Sequence, residues 1–239
     1  MNVQTAAERR VAFFGGSFDP PHLGHLAVAR AARAALGLDT VLFAPVGAQP
    51  LKPLGSTASF ADRVAMTELA VAADAGFSVS LADAPKPQGK PNYTLETLLG
   101  LRSRLPAGST LFCLMGADSF AGLKHWHRGV EIPFAAPLIV ASRPGERLGD
   151  LKSALPEELM IERMPGPEES VSDVEMHSYL LHNPHGQTAP FYLLPGLEVE
   201  ISASEIRAQV NEILGARSAG RELLPEAVSA YIRMHGLYL

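Results

Sequence analysis

Residues 11–25, VAFFGGSFDPPHLGH, limit what this chain can fold into more than any other stretch. The apolar run Val11–Phe14 suits a buried strand. Gly15 and Gly16 permit a sharp turn and leave room for something to come close. Pro20 and Pro21 stiffen the loop. After Gly24 the sequence HLAVARAARAAL is dense in helix formers. Strand, glycine turn and helix in that order make the opening unit of an α/β sheet. The helix start also presents free N–H groups and the positive end of a dipole, which together attract phosphate. His22 and His25 stand at that start, at a spacing that puts them on one helical face.

The spacing alone does not identify a site, because histidines that cap, pack or face solvent produce it too. The chain repeats it at His182 and His185, in the loop-like HNPH, where no chemistry is assigned. The first pair differs in following a buried strand and a double glycine.

Downstream, strands and helices alternate. Thr40–Pro45 reads as a strand, and Gly47–Thr57 as a proline- and glycine-rich loop carrying Lys52. Ser59, with Asp62 three residues later, fits a helix N-cap. Phe77–Leu81 reads as a strand, Pro85–Asn92 as a loop and Tyr93–Leu105 as a helix. Thr110–Met115 and Leu138–Ala141 read as buried strands. This order predicts an α/β fold: a Rossmann-like, doubly wound parallel sheet with right-handed crossovers and helices on both faces. Such sheets bind ligands beyond the carboxyl ends of their strands. Loops 15–22, 47–57, 85–92 and 116–126 are expected to converge there.

Residues 146–190 scatter proline, glycine and acidic side chains and are read as short helices and long loops. Phe191–Leu194 and Leu197–Ile201 resume strand character. Ser202–Glu205 fits a capping box that opens a helix through Leu214. Pro225 and Gly236 bracket a last helix, so the C-terminal portion is helical. The whole span 1–239 reads as one domain, with 146–190 as a variable, loop-rich segment.

A hydrophobic content of 47% is that of a globular chain. The net charge of -5 offers no general attraction to nucleic acid, so anions must be bound by local cations. The single cysteine, Cys113, cannot form an internal disulfide, which fits a reducing, cytoplasmic setting. It lies in STLFCLMG and is read as a buried strand residue. The first ten residues lack an apolar signal core, and no apolar run reaches membrane-spanning length. Neither nucleic acid nor membrane is an expected partner. A homo-oligomer stays open.

The string GGSFDPPHLGH resembles the HxGH nucleotidyltransferases, and its spelling is most similar to bacterial nicotinate-mononucleotide adenylyltransferases. The resemblance implies that Gly15, Gly16, Ser17, Phe18, His22 and His25 hold the triphosphate of ATP. A second string, Ile201–Arg207 (ISASEIR), is by itself a cap and a first helical turn. It resembles the ISxTxxR signature of the same enzymes, with Ser204 in the threonine position. By that resemblance Ser202, Ser204 and Arg207 hold the β- and γ-phosphates.

Between the two signatures the resemblance continues. Tyr93-Thr94 with Thr97-Leu98 is similar to an SYTxxTL segment, with Asn92 replacing serine. Gly116–Ser119 is similar to a GxD(S/A) strand end, Leu138–Gly145 to LIVxxRPG, and Arg63 with Met66 to RxxM. It implies that Lys52, Thr94, Asp118, Trp126 and Arg143 contact the mononucleotide, Trp126 stacking on the pyridine and Asp118 accepting from ribose hydroxyls. Read alone, Trp126 is an ordinary aromatic, Asp118 a turn residue, and Lys52 and Arg143 solvated charges. Gln49–Lys52 reads QPLK where the family often has PPHK, keeping the lysine and lacking the histidine. Lys90 stands near the place of a displaced basic residue. His125 and His127 are read as ordinary polar residues.

The activity this implies is adenylyl transfer from ATP to nicotinate mononucleotide, giving nicotinate adenine dinucleotide (deamido-NAD) and pyrophosphate, in NAD biosynthesis. His22, His25 and Arg207 are the expected catalytic residues. Mg²⁺ is expected to travel with ATP, with no metal site of the protein's own. The attacking group is the substrate's own anionic phosphate, so no serine or cysteine nucleophile is needed. Nicotinamide mononucleotide and pantetheine phosphate are the alternative acceptors. A zinc site on HxxH would need a third ligand, and a nucleotide sensor would lack turnover. The chain has no P-loop and no strand-linked G-x-G-x-x-G, which argues against kinase-like and dehydrogenase sites.

Overall fold

The computed structural model describes residues 7–51, 55–142, 152–164, 174–197, 202–208, 210 and 223–239. Among these, eight strands form a single sheet in the order β3-β2-β1-β4-β5-β8-β7-β6. Strands β1 (Arg10–Gly16), β2 (Thr40–Pro45), β3 (Phe77–Val79), β4 (Thr110–Gly116) and β5 (Leu138–Ala141) are parallel neighbours. The chain runs outward from β1 to β3, then crosses back to β4 on the other side of β1. That reversal opens a crevice between the ends of β1 and β4, where such folds bind ligands.

Strand β8 (Thr188–Leu194) adds to β5 in parallel, and β7 (His177–His182) and β6 (Met160–Arg163) follow it antiparallel. This corrects the expectation of helices and loops over 146–190: strands β6, β7 and the start of β8 lie there. Their short alternating runs, such as SYLL, are stable only against β8, a pairing that local sequence does not reveal. The predicted strand over 197–201 falls almost wholly outside the described residues, as does the end of the helix through Leu214.

Alternation along β1 divides the core. Ala12 and Phe14 face α1 (Leu23–Leu36), α2 (Phe60–Val71) and the last helix, Glu226–His235. Val11 and Phe13 face α3 (Thr94–Arg102), α4 (Ala117–Ala121) and α5 (Ile132–Ala135). Burial on both faces is why β1 and β4 read as near-continuous apolar runs. Local chemistry sets most helix ends. Ser59 Oγ accepts from Asp62 N at 3.1 Å, as expected of an N-cap. Gly37 and Gly236 close their helices in the left-handed conformation. Cys113 is buried in β4, as read.

Candidate active site

At the carboxyl edge of the parallel strands a cavity of about 740 Å³ opens, spanning both faces of the sheet. His22 is the N-cap of α1, in an extended conformation. Its backbone N–H donates to Nδ1 of His25 at 3.2 Å. With Nδ1 of His25 an acceptor, a neutral ring carries its proton on Nε2, a donor. The two imidazoles stack with centroids 3.7 Å apart. Phe18 meets His25 edge-on at 4.9 Å, and Phe14 lies at 6.0 Å. Burial in this apolar stack lowers the His22 pKa from 6.5 to about 4. His25 is also held well below 6.5, by burial first and then by the charge of His22. Both rings are therefore neutral N–H donors at physiological pH. Nδ1 of His22 is buried and has no hydrogen-bond partner among the described residues.

Across the cavity from α1 stands the helix Ala203–Ala208. Its start forms the expected capping box: Glu205 N donates to Ser202 Oγ at 3.1 Å, and Ser202 N donates to Glu205 Oε2 at 3.2 Å. Arg207 donates from Nη1 to the backbone carbonyl of Asp19 at 2.7 Å and from Nη2 to Ser204 Oγ at 3.2 Å. Ser202, Ser204 and Arg207 line the same cavity as Gly15, Gly16, Ser17, Phe18, His22 and His25. The two ends of the chain thus meet over one space.

The glycine loop is held from below. Arg63, 2% exposed, donates from Nη1 to the carbonyl of Ser17 at 2.6 Å and from Nη2 to that of Val46 at 2.8 Å. The Asp19 carboxylate accepts from the amides of Thr57 (2.6 Å) and Ala58 (3.0 Å) and from the hydroxyl of Tyr238 (2.7 Å). Arg207 Nη1 lies 4.0 Å from its Oδ2. Gly15 packs so closely over β1 that a Cβ there would stand 2.7 Å from the Phe13 ring. A side chain at that position would have to displace an aromatic of the core.

The other half of the cavity is lined by Thr94, Asp118 and Trp126, as expected. Tyr93 stacks on His127 with centroids 4.2 Å apart, which brings the loop bearing Trp126 against the start of α3. Asn92 ties the second and third loops together: Oδ1 accepts from Ala48 N at 3.0 Å, and Nδ2 donates to Ala84 O at 2.9 Å. The loops approach backbone to backbone here, and a Cβ on Gly47 would collide with Pro85 N. Asp83, buried, accepts from Thr97 Oγ1 at 2.6 Å, and burial raises its pKa against that bond. Burial and the nearby Asp83 push the Cys113 thiol up to about 12, so it is no nucleophile at neutral pH.

Lys52 and Arg143 fall outside the described residues, and their expected contacts to the mononucleotide with them. Of the third loop only its last residue, Asn92, reaches the lining. Sequence reasoning passed over several groups. His125 and His127, read as ordinary polar residues, both line the cavity. Asp83 and the clamp role of Asn92 went unrecognised; an amide directly before a helix start was the available signal for Asn92. Nothing local marks Tyr238, whose partner is 219 positions away. His182 and His185 lie at the hairpin between β7 and β8, outside the cavity lining.

A crevice at the switch point of a parallel sheet, lined by residues from both ends of the chain, is where α/β proteins of this class bind nucleotides. Residues 13–209 match the cytidylyltransferase-like family model, and the chain belongs to that family of nucleotidyltransferases. It is 38% identical to a probable nicotinate-nucleotide adenylyltransferase of Gloeobacter violaceus, over 96% of each chain. It is 35% identical to one of Trichlorobacter lovleyi, covering 96% of this chain and 99% of that one. These full-length relatives place it among the nicotinate-nucleotide adenylyltransferases. The fold is similar to that of Plasmodium falciparum nicotinic acid mononucleotide adenylyltransferase complexed with NaAD. That match has a TM-score of 0.63 at 16% identity and covers 97% of this chain and 98% of that one.

Proposed function

We propose that this chain transfers the adenylyl group of ATP to nicotinate mononucleotide, with His22, His25 and Arg207 as the catalytic residues. The observation that carries the assignment of roles is that both imidazoles and the guanidinium border one cavity. A phosphate oxygen of the mononucleotide attacks the α-phosphorus of ATP. The bond from that phosphorus to the bridging oxygen breaks, and pyrophosphate departs with the electron pair. The nucleophile is already anionic, so the protein's task is to align two anions and stabilise charge on the transferring group.

His22 and His25 donate N–H groups to phosphate oxygens. A bound triphosphate favours the protonated rings, so their pKa values rise on binding, from the depressed values of the empty cavity. Arg207 and the hydroxyls of Ser202 and Ser204 hold the leaving phosphates. Trp126 stacks on the pyridine ring, Asp118 accepts from ribose hydroxyls, and Thr94 lines the mononucleotide half. Lys52 and Arg143 belong to the same proposal as mononucleotide contacts.

Among the described residues, no group of three or more His, Cys, Asp or Glu side chains is placed to hold a metal ion. The Asp19 carboxylate, in the loop that leads to His22, already accepts from three donors. This donor set fits a Mg²⁺ ligated by the triphosphate and water rather than by a protein cage. Such an ion would offset charge on the leaving pyrophosphate. Among the described residues no helix is long and apolar enough to cross a membrane, and we place the reaction in the cytoplasm.

Pyrophosphate release with ATP, measured against nicotinate mononucleotide, nicotinamide mononucleotide and pantetheine phosphate, tests the proposal. Highest kcat/KM is expected with the nicotinate substrate. Turnover of pantetheine phosphate without turnover of either pyridine nucleotide would overturn it.

A further inference from the structure

Ser142 follows directly on β5 and lines the cavity. It is 2% exposed. Its backbone is satisfied on both sides: N–H donates to Leu194 O at 2.9 Å, and C=O accepts from Leu197 N at 3.1 Å. Its hydroxyl is not. Oγ is buried and has no hydrogen-bond partner among the described residues. A buried, unpaired hydroxyl on a cavity wall is a cost that a ligand can remove.

The order of groups along the sheet edge says which ligand atoms reach it. His22 and His25 sit beyond β1, at the centre of the cavity. Asn92, Tyr93 and Thr94 stand toward β2 and β3, with Trp126 held against them through the His127–Tyr93 stack. Ser142 lies the other way, beyond β5, beside Ala141 and bonded to Leu197, both of which line the cavity. With the phosphates at the centre and the pyridine near Trp126, the nucleoside of ATP occupies the β5 side. There the wall supplies apolar surface from Ala141 and Leu197 and one polar atom. That combination suits a flat heteroaromatic base with a hydrogen-bonding edge.

We infer that the Ser142 hydroxyl hydrogen-bonds the 6-amino edge of the adenine base, and so sets the nucleotide specificity of the adenylyl donor. This rests on the adenylyl-transfer reading above. The wild-type turnover assay therefore comes first; absence of any turnover strikes that reading, and the comparisons below are made within the active enzyme.

Ser142→Ala removes an unpaired atom, so the melting temperature is expected to stay level or rise. KM for ATP is expected to increase about tenfold, the worth of one lost contact, with KM for the mononucleotide unchanged. In wild type, purine riboside triphosphate, which lacks the 6-amino group, is expected to show a penalty relative to ATP. In the variant that penalty disappears, because the partner has gone. An unchanged KM for ATP, or a penalty that persists in the variant, overturns the assignment. So does a penalty that shifts to 2′-deoxyATP, which would make the sugar the contact. A fall in melting temperature with unaltered kinetics overturns it as well.

Discussion

Arg207 donates from Nη1 to the backbone carbonyl of Asp19 at 2.7 Å, across 188 positions of sequence. The bond holds a guanidinium from the C-terminal part of the chain over the loop that carries His22. Arg207 is thus positioned before any nucleotide arrives, and little of its side-chain entropy is left to lose on binding.

Removing that group is expected to be costly for turnover. Arg207→Ala should lower kcat/KM for ATP by about 10² to 10³, the range for losing one oriented donor to a developing anion. Arg207→Lys should recover only a small part, because one ammonium cannot reproduce the forked contacts to Asp19 and Ser204. Steady-state kinetics check this, with circular dichroism to establish that both variants fold. Near-normal turnover in the alanine variant would contradict the role.

Arg63 should act mainly through stability. Its loss removes the guanidinium donors to the carbonyls of Ser17 and Val46. Arg63→Ala is expected to destabilise the chain by about 3–5 kcal/mol in urea unfolding, and Arg63→Lys by less. KM for ATP should rise as well, since Ser17 lies in the phosphate loop. A loss below about 1 kcal/mol, within the range of an ordinary surface substitution, would count against the clamp.

The histidine pair predicts a pH dependence whose sign follows from burial. His22 is neutral in the folded chain down to about pH 4, whereas an unfolded histidine titrates near 6.5. Between those values the unfolded state binds more protons. Stability is then fully present above pH 6.5 and is lost as pH falls toward 4, by about 3 kcal/mol for His22. His22→Gln should flatten that slope in chemical unfolding measured at pH 7 and pH 4.5. The same variant, like His25→Ala, should lose orders of magnitude in turnover while staying folded at pH 7; retention of activity would remove both residues from the mechanism.

Trp126 is the only tryptophan, and it lines the cavity. Its fluorescence should change on titration with nicotinate mononucleotide and respond far less to ATP. Trp126→Ala should raise KM for the mononucleotide with little effect on KM for ATP. An unchanged mononucleotide KM would rule out stacking.

The parallel sheet was legible because β1, β2, β4 and β5 are buried on both faces and so spell themselves as apolar runs between glycine and proline loops. Helix starts were legible for an equally local reason. A capping serine and its acidic partner lie three residues apart, and Ser59–Asp62 and Ser202–Glu205 both form the predicted bonds. Strands β6 and β7 escaped because edge pairing depends on a neighbour that only the fold brings alongside. Tyr238 escaped because its partner lies almost the whole chain away.

By itself, then, the sequence determined which short segments turn, cap and bury, since those choices depend on atoms within a few residues of each other. It also supplied the two signatures proposed to bind phosphate, each confined to one short stretch of chain. Only the tertiary structure decided that His25 stacks with His22 and Phe18, which removes their charge at neutral pH. It alone decided that Asn92 and Arg63 hold the loops, and that Ser142 keeps a hydroxyl unpaired on the cavity wall. Burial and hydrogen-bond satisfaction are properties of neighbours in space, and the parallel crossovers of this sheet gather those neighbours from distant parts of the chain.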